Sequence, residues 1–399
     1  MKRGYKGYKS FEYLEPGVDY QEFELVPELN RVEPYVVPLD ASQEARAAGL
    51  VEKCVVISLH DHPNVFPLKQ QDIVRYAKQG REATAFEALG DSPLDAVFDA
   101  MMDGTCIMSS DAGWRWIDVL HDIGIRSSDI AHQDFLIRTE RLEDIYRAKK
   151  EDKIAWIIAL EQAGMIENEL DRLDVLYGLG VRMIGITYSE SNSLGSGIRE
   201  VNDGGLTHMG RKAVERMNKL GLAIETTHCG MQTARDVMQA SKKPVFITHT
   251  GARALWERRG LKPDDLLKAC ADTGGVVGIG APPHSTPTRN HPVHGIDSVM
   301  EHFEYIKNLI GVDHVGFGPD TLYGDHVGLH EAFAANLSLT KDTFRGDPVP
   351  HVDYVKGMEN PTEAWNNIVR WLVKEGYSDE DICKVLGGNA LRALQEVWY

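Results

Sequence analysis

The residues best suited to chemistry are His60 and His62, which flank Asp61 at the end of the apolar run Val55-Val56-Ile57-Ser58-Leu59. Side chains two apart on an extended strand share a face, so both imidazoles can converge on one metal ion. Glu161 follows Trp156-Ile157-Ile158-Ala159-Leu160, and His228 follows Ala223-Ile224-Glu225-Thr226-Thr227. His249 follows Val245-Phe246-Ile247-Thr248, and Asp320 follows Val315-Gly316-Phe317-Gly318-Pro319. Five run ends thus supply six ligand-type side chains. Imidazoles and carboxylates suit zinc, and one carboxylate can bridge two ions. Glu161 would be costly to bury unpaired, and a bridging position would satisfy it. Two metals lower the pKa of bound water and polarise a carbonyl, which amide hydrolysis at neutral pH needs. Asp320 can take the proton and pass it to the leaving amine. Each residue alone also has an ordinary reading as a loop start, a turn acid or a core histidine. The combination favours ligation by His60, His62, Glu161, His228 and His249.

Bringing these side chains to one level requires parallel strands. Apolar runs lie at 54–59, 104–108, 154–160, 183–187, 223–227, 245–248, 275–279 and 314–318, most of them separated by a helical pattern. This alternation predicts an α/β fold, a (β/α)8 TIM-type barrel. Helices are expected over 170–179, 207–220 and 263–273, each followed by glycine at the C-terminal side. Residues 1–50 read as an N-terminal arm packing on the barrel, and 51–399 as the barrel with its C-terminal helices. Two closing helices are expected over 362–398, with Ser378 as an N-cap. Loops at 282–295 and 321–361 interrupt the alternation and can shape a site. They carry His284, His291, His294, His326 and His330 as further candidates.

The formal charge of −17 argues against nucleic acid or an anionic membrane as partner. Cys54, Cys106, Cys229, Cys270 and Cys383 are scattered, odd in number and form no CxxC pair. That pattern points away from disulfides and toward a reducing compartment. With no secretory signal or apolar membrane span, a cytoplasmic protein is expected. A small-molecule substrate is the expected partner, and the tyrosine-bearing arm is a possible homo-oligomer contact.

Several stretches together resemble the membrane (renal) dipeptidase family of the amidohydrolase superfamily. They are 173–187 (LDVLYGLGVRMIGIT), 205–227 (GLTHMGRKAVERMNKLGLAIETT), 244–255 (PVFITHTGARAL), 264–278 (DDLLKACADTGGVVG) and 376–397 (GYSDEDICKVLGGNALRALQEV). The resemblance implies two zinc ions bridged by Glu161. It places His228 and His249 on one ion, the first-strand motif on the other, and Asp320 as the proton-transferring residue. It implies an arginine after the sixth strand that holds the substrate carboxylate; Arg259 is favoured, with Arg258 beside it. Asn192 is a further substrate-binding candidate. Two positions depart from the family pattern. The first motif is HxH instead of HxD, and Tyr188 stands where the family has an oxyanion-stabilising histidine. A tyrosine hydroxyl can donate to an oxyanion. The expected function is a binuclear zinc hydrolase that cleaves a dipeptide or small N-acyl amino acid. The alternatives are attack on another C–N, C–O or C–C bond of a small metabolite, and a non-catalytic metal-containing binding protein.

Overall fold

The computed structural model describes residues 4–101, 114–336 and 346–398. Eight parallel strands follow in chain order: β1 Ile57–Asp61, β2 Ala96–Ala100, β3 Ile154–Leu160, β4 Val181–Gly185, β5 Ala223–Glu225, β6 Val245–Thr250, β7 Val276–Ile279 and β8 Val315–Phe317. Each pairs with the next. The ends of β8 and β1 meet where Asp320 N donates to His60 O (3.0 Å) and His62 N to Thr321 O (2.9 Å). The result is the expected TIM-type barrel. Such strands read as near-continuous apolar runs because side chains fill the interior on one face and helices cover the other. A short extra strand, Leu136–Arg138, pairs with the first half of β3 on the edge whose second half pairs with β4.

One strand differs from the sequence reading. The second barrel strand is Ala96–Ala100, whereas 104–108 lies outside the described residues. Asp99 interrupts the apolar pattern of β2, yet it is fully buried. It tolerates burial by accepting from Arg126 Nη1 and Trp156 Nε1, both at 2.8 Å. Arg126 is itself buried and also donates to Glu82 at 3.0 Å.

Ile57, Leu59, Phe98, Ile157, Met183 and Phe246 pack inside the barrel. Leu391, Leu394, Val397 and Trp398, on and just after the helix Asn389–Val397, join the same cluster. Arg392 Nη1 donates to Gly274 O, and Lys243 Nζ donates to Glu396 O, so this helix plugs the end where strands β6 and β7 begin. The helix His208–Leu220 starts at its N-cap Thr207, whose hydroxyl accepts from Gly210 N, and stops at Gly221 in the left-handed region. The closing helices begin at Pro361–Lys374. They continue through Asp379–Cys383, capped by Ser378, and a π turn Lys384–Gly388. Gly387 is required there, since a Cβ would stand 2.3 Å from Val55 O.

The cysteines need a correction. Cys54, just before β1, forms a disulfide with Cys383, while Cys229 and Cys270 are free and buried. Their separation of 329 residues hid the pair from any reading of spacing. The bond removes the cysteine argument for a reducing compartment. Before the helix Ala41–Lys53 the chain is mostly irregular and packs through its aromatics. Phe11 is buried, and Tyr8 donates to Asp129 at 2.7 Å. Among the described residues no helix is long and apolar enough to cross a membrane.

Candidate metal centre

Parallel strands bring all their C-terminal ends to one rim, and there the candidate ligands meet. A register shift in β1 between Ser58 and Asp61 sets the HxH motif. Asp61 turns away from its two histidines and accepts four hydrogen bonds. They come from Ser58 Oγ (2.6 Å), Thr321 N (2.9 Å), Thr321 Oγ1 (2.8 Å) and Trp365 Nε1 (3.0 Å). The central residue of the motif therefore buttresses the strand end, leaving both imidazoles on the inner face.

Glu161 stands between two groups of histidines. Its Oε1 lies 3.5 Å from His60 Nε2 and 3.8 Å from His62 Nε2, and its Oε2 lies 3.2 Å from His228 Nε2. His249 Nε2 is 3.0 Å from His228 Nε2. Asp320 closes the ring. Its Oδ1 lies 3.0 Å from His62 Nε2 and 3.6 Å from His60 Nε2, and its Oδ2 lies 3.8 Å from His249 Nε2. Three overlapping triads result: His60–His62–Glu161, His60–His249–Asp320 and Glu161–His228–His249.

These residues fit divalent cations on the evidence of their own atoms. Glu161 Oε1 and His60 Nε2 are buried, neither has a hydrogen-bond partner, and they face each other. Leaving such groups unsatisfied is expensive, and a cation would satisfy both. Burial acts to raise the Glu161 carboxyl, but the imidazoles of His60 and His228 outweigh it and hold it well below the usual carboxylate range. Asp320 is held low in the same way, against its burial, by His249, His62 and His60. Burial pushes His249 well down, with His60 adding to it, so this imidazole is neutral as a ligand requires. Burial also acts to lower His60, but Glu161 and Asp320 together raise it. The negative field that favours a proton there would equally favour a metal ion.

Thr248 orients this shell. Its hydroxyl lies 3.0 Å from His249 Nδ1 and 3.5 Å from His60 Nδ1. Occupying Nδ1 from outside turns Nε2 toward the centre. Asp320 has φ of 56°, in the left-handed region uncommon for non-glycine residues, and its backbone is held there by His60 O.

The centre opens into a cavity of about 610 Å3. Tyr188 lines it, with its ring centroid 4.2 Å from that of His228. Arg258 and Arg259 line it too, and Arg259 Nη1 donates to Ile198 O (2.9 Å) and Glu200 O (3.3 Å). His326 and His330 stand on the wall with ring centroids 4.5 Å apart.

Asn192 is not on this wall. Its Nδ2 donates to Ile186 O (2.8 Å) and Gln162 Oε1 (3.1 Å), and its Oδ1 accepts from Leu194 N, so it braces the loop after β4. His284 and His294 likewise shape the proline-rich loop. His294 Nδ1 accepts from His284 N, and His284 Nε2 accepts from Val352 N.

Sequence reasoning missed Arg199, which lines the cavity, and Lys262. Lys262 is fully buried and donates to Thr227 O (2.5 Å) and Cys229 O (3.5 Å), the carbonyls on either side of His228. Burial pushes its amine down to about 8. A lysine inside an apolar context such as Leu261-Lys262-Pro263 was the only available signal.

Comparison with known proteins agrees with this geometry. The family model for membrane dipeptidase (peptidase family M19) matches residues 109–333, more than half of the chain. The dipeptidase aclJ of Aspergillus oryzae is 27% identical over 268 residues, covering 66% of this chain and 57% of the relative. The dipeptidase tcpJ of Claviceps purpurea is 25% identical over 268 residues, covering 67% of this chain and 56% of the relative. The match therefore spans just over half the length of these curated relatives. Among solved structures, an amidohydrolase from Pseudomonas aeruginosa superposes with a TM-score of 0.70 at 25% identity, covering 88% of this chain and 99% of that one. A conserved-length match of this kind, together with a rim of five strand ends furnished for metal, leads to one statement: the chain belongs to the membrane dipeptidase family, peptidase family M19.

Proposed function

We propose that this protein is a binuclear hydrolase, with zinc as its resident ion, that cleaves the amide bond of a dipeptide or a similarly small N-acyl amino acid. The observation that carries this reading is Glu161, whose two oxygens face different imidazole groups: His60 and His62 from Oε1, His228 from Oε2. His60, His62 and Glu161 would hold one ion, and Glu161, His228 and His249 the other. When bound, the ions supply Lewis acidity and an activated water.

The chain's own residues do the rest. Asp320, ionised and on the rim between the two triads, takes a proton at its carboxylate and returns it to the leaving nitrogen. Tyr188 donates its O–H to the carbonyl oxygen as charge develops. Arg259 meets the substrate carboxylate with donors beyond the Nη1 that grips the loop, since a guanidinium carries five. The cavity has the dimensions of a small-ligand site.

Elemental analysis of the purified protein beside His62→Ala, followed by a dipeptide panel, tests this. Two zinc ions per chain, one in the variant, and turnover abolished by Asp320→Asn are the expected results. A protein that retains no metal after zinc is resupplied would overturn the reading. Tyr188, in place of a histidine, favours one alternative: the same centre acting on another bond of a small metabolite. That alternative predicts full metal loading with every dipeptide inert.

A further inference from the structure

Resting on the dipeptidase reading above, we propose that the preferred substrates carry a second anionic group: an acidic C-terminal residue, aspartyl or glutamyl, whose side-chain carboxylate is met by Arg199. The cavity has two chemically distinct walls. One is the ligand rim, with Glu161 and Asp320. The other carries Arg199, Arg258 and Arg259. The one further acid on that second wall, Asp347, is paired with the Arg289 guanidinium and accepts from Glu257 N at 3.1 Å. It does not offset the arginines. In a chain of formal charge −17, three guanidiniums on one cavity wall run against the overall bias. Charge placed this way selects ligands.

The backbone fixes Arg199 beside Arg259. Arg259 Nη1 spans the carbonyls on either side of Arg199, at 2.9 Å from Ile198 O and 3.3 Å from Glu200 O. The loop is also laced to the site. Ile198 N donates to Tyr188 O (3.0 Å) and His228 O (2.9 Å), and Arg199 N donates to Ser189 O (2.9 Å). The neighbouring Glu200 carboxylate is turned back onto the loop, where Oε1 accepts from Ser191 N at 2.7 Å. A dipeptide's α-carboxylate needs one guanidinium. Two held side by side match two carboxylates on one residue, each able to form a charge-assisted pair.

The test is the ratio of kcat/KM for Ala-Asp over Ala-Asn, and for Ala-Glu over Ala-Gln. It is measured on the zinc-loaded enzyme with both stereoisomers of the second residue. The expected ratio is about tenfold or more, the size of one charge-assisted contact. It should fall to about one in Arg199→Gln, recover in part in Arg199→Lys, and shrink in the wild type as salt is raised. A wild-type ratio near one, with the neutral dipeptides turned over, overturns this proposal and leaves the hydrolase reading standing. A large ratio unchanged in Arg199→Gln overturns the assignment to Arg199. If no dipeptide is turned over, the hydrolase reading falls and takes this proposal with it. Should Arg199→Gln fail to fold, the wild-type ratio, its salt dependence and Arg199→Lys still decide.

Discussion

The two ends of the barrel obey opposite rules. At the end where the strands begin, Ile57, Phe98, Phe246, Leu394 and Trp398 close a hydrocarbon plug, and a disulfide ties Cys54 to Cys383. At the end where the strands finish, imidazoles and carboxylates crowd together. Buried atoms there lack partners, and Asp320 holds a left-handed backbone. One end lowers the free energy of the fold, and the other is tolerated because of that. The contrast is the general pattern in which function is housed where stability is locally sacrificed. It also implies that damage at the two ends can be separated experimentally.

The largest expected effect is at the rim. Glu161→Gln should lower kcat/KM by about 10³-fold or more, since several kcal/mol of transition-state stabilisation depend on the ions it would bridge. Elemental analysis should show metal lost in the same variant. Melting of the metal-free protein should not shift downward, because a buried charge has been removed. A large loss of stability would mean that the rim, too, holds the fold together.

The plug should behave in the reverse way. Leu394→Ala removes a fully buried side chain and should cost about 2–5 kcal/mol in denaturant unfolding, with kcat/KM of the folded enzyme unchanged. A drop in activity without a drop in stability would break the comparison.

Next is Tyr188→Phe, which deletes only the hydroxyl. If that hydroxyl serves the oxyanion, kcat should fall about 10–100-fold with KM nearly constant. Unchanged kinetics would return Tyr188 to the role of a packing residue against His228.

The smallest effect comes from Lys262. Its folded-state pKa is about 8, below the ordinary 10.5, so the unfolded chain binds more protons between those values. The burden of a buried charge is complete below pH 8 and lifts as pH rises toward 10.5. Wild-type stability should therefore gain on that of Lys262→Met over that window, read as urea midpoints. Parallel pH profiles would show that the ammonium is not desolvated as its burial suggests.

What the sequence revealed follows from the same contrast. Seven of the eight runs read as strands overlap barrel strands because parallel strands covered on both sides are apolar almost throughout. The second escaped because Asp99 breaks the pattern, and its partners Arg126 and Trp156 are distant in sequence. Ligand-type residues were legible because each stands directly after its run. The arginine wall was only half visible. Arg258 and Arg259 were reached through resemblance, whereas Arg199 sits on a loop whose course depends on hydrogen bonds to β4 and β5. Asn192 was an equally plausible polar loop residue, and only the structure shows its amide committed to the backbone. Residue type and spacing reveal what a strand end presents, but not how a loop folds back over it.

The bond between Cys54 and Cys383 also sets a timetable for biosynthesis. At ribosomal speeds the intervening 329 residues take on the order of tens of seconds to emerge. Throughout that interval the first thiol is exposed, while Cys106, Cys229 and Cys270 appear before its proper partner. A cell making this protein with the bond intact must therefore either keep the nascent thiols reduced until translation ends or reshuffle mispaired intermediates afterwards. Yield should depend on thiol–disulfide isomerase activity more strongly than on the intrinsic stability of the finished barrel.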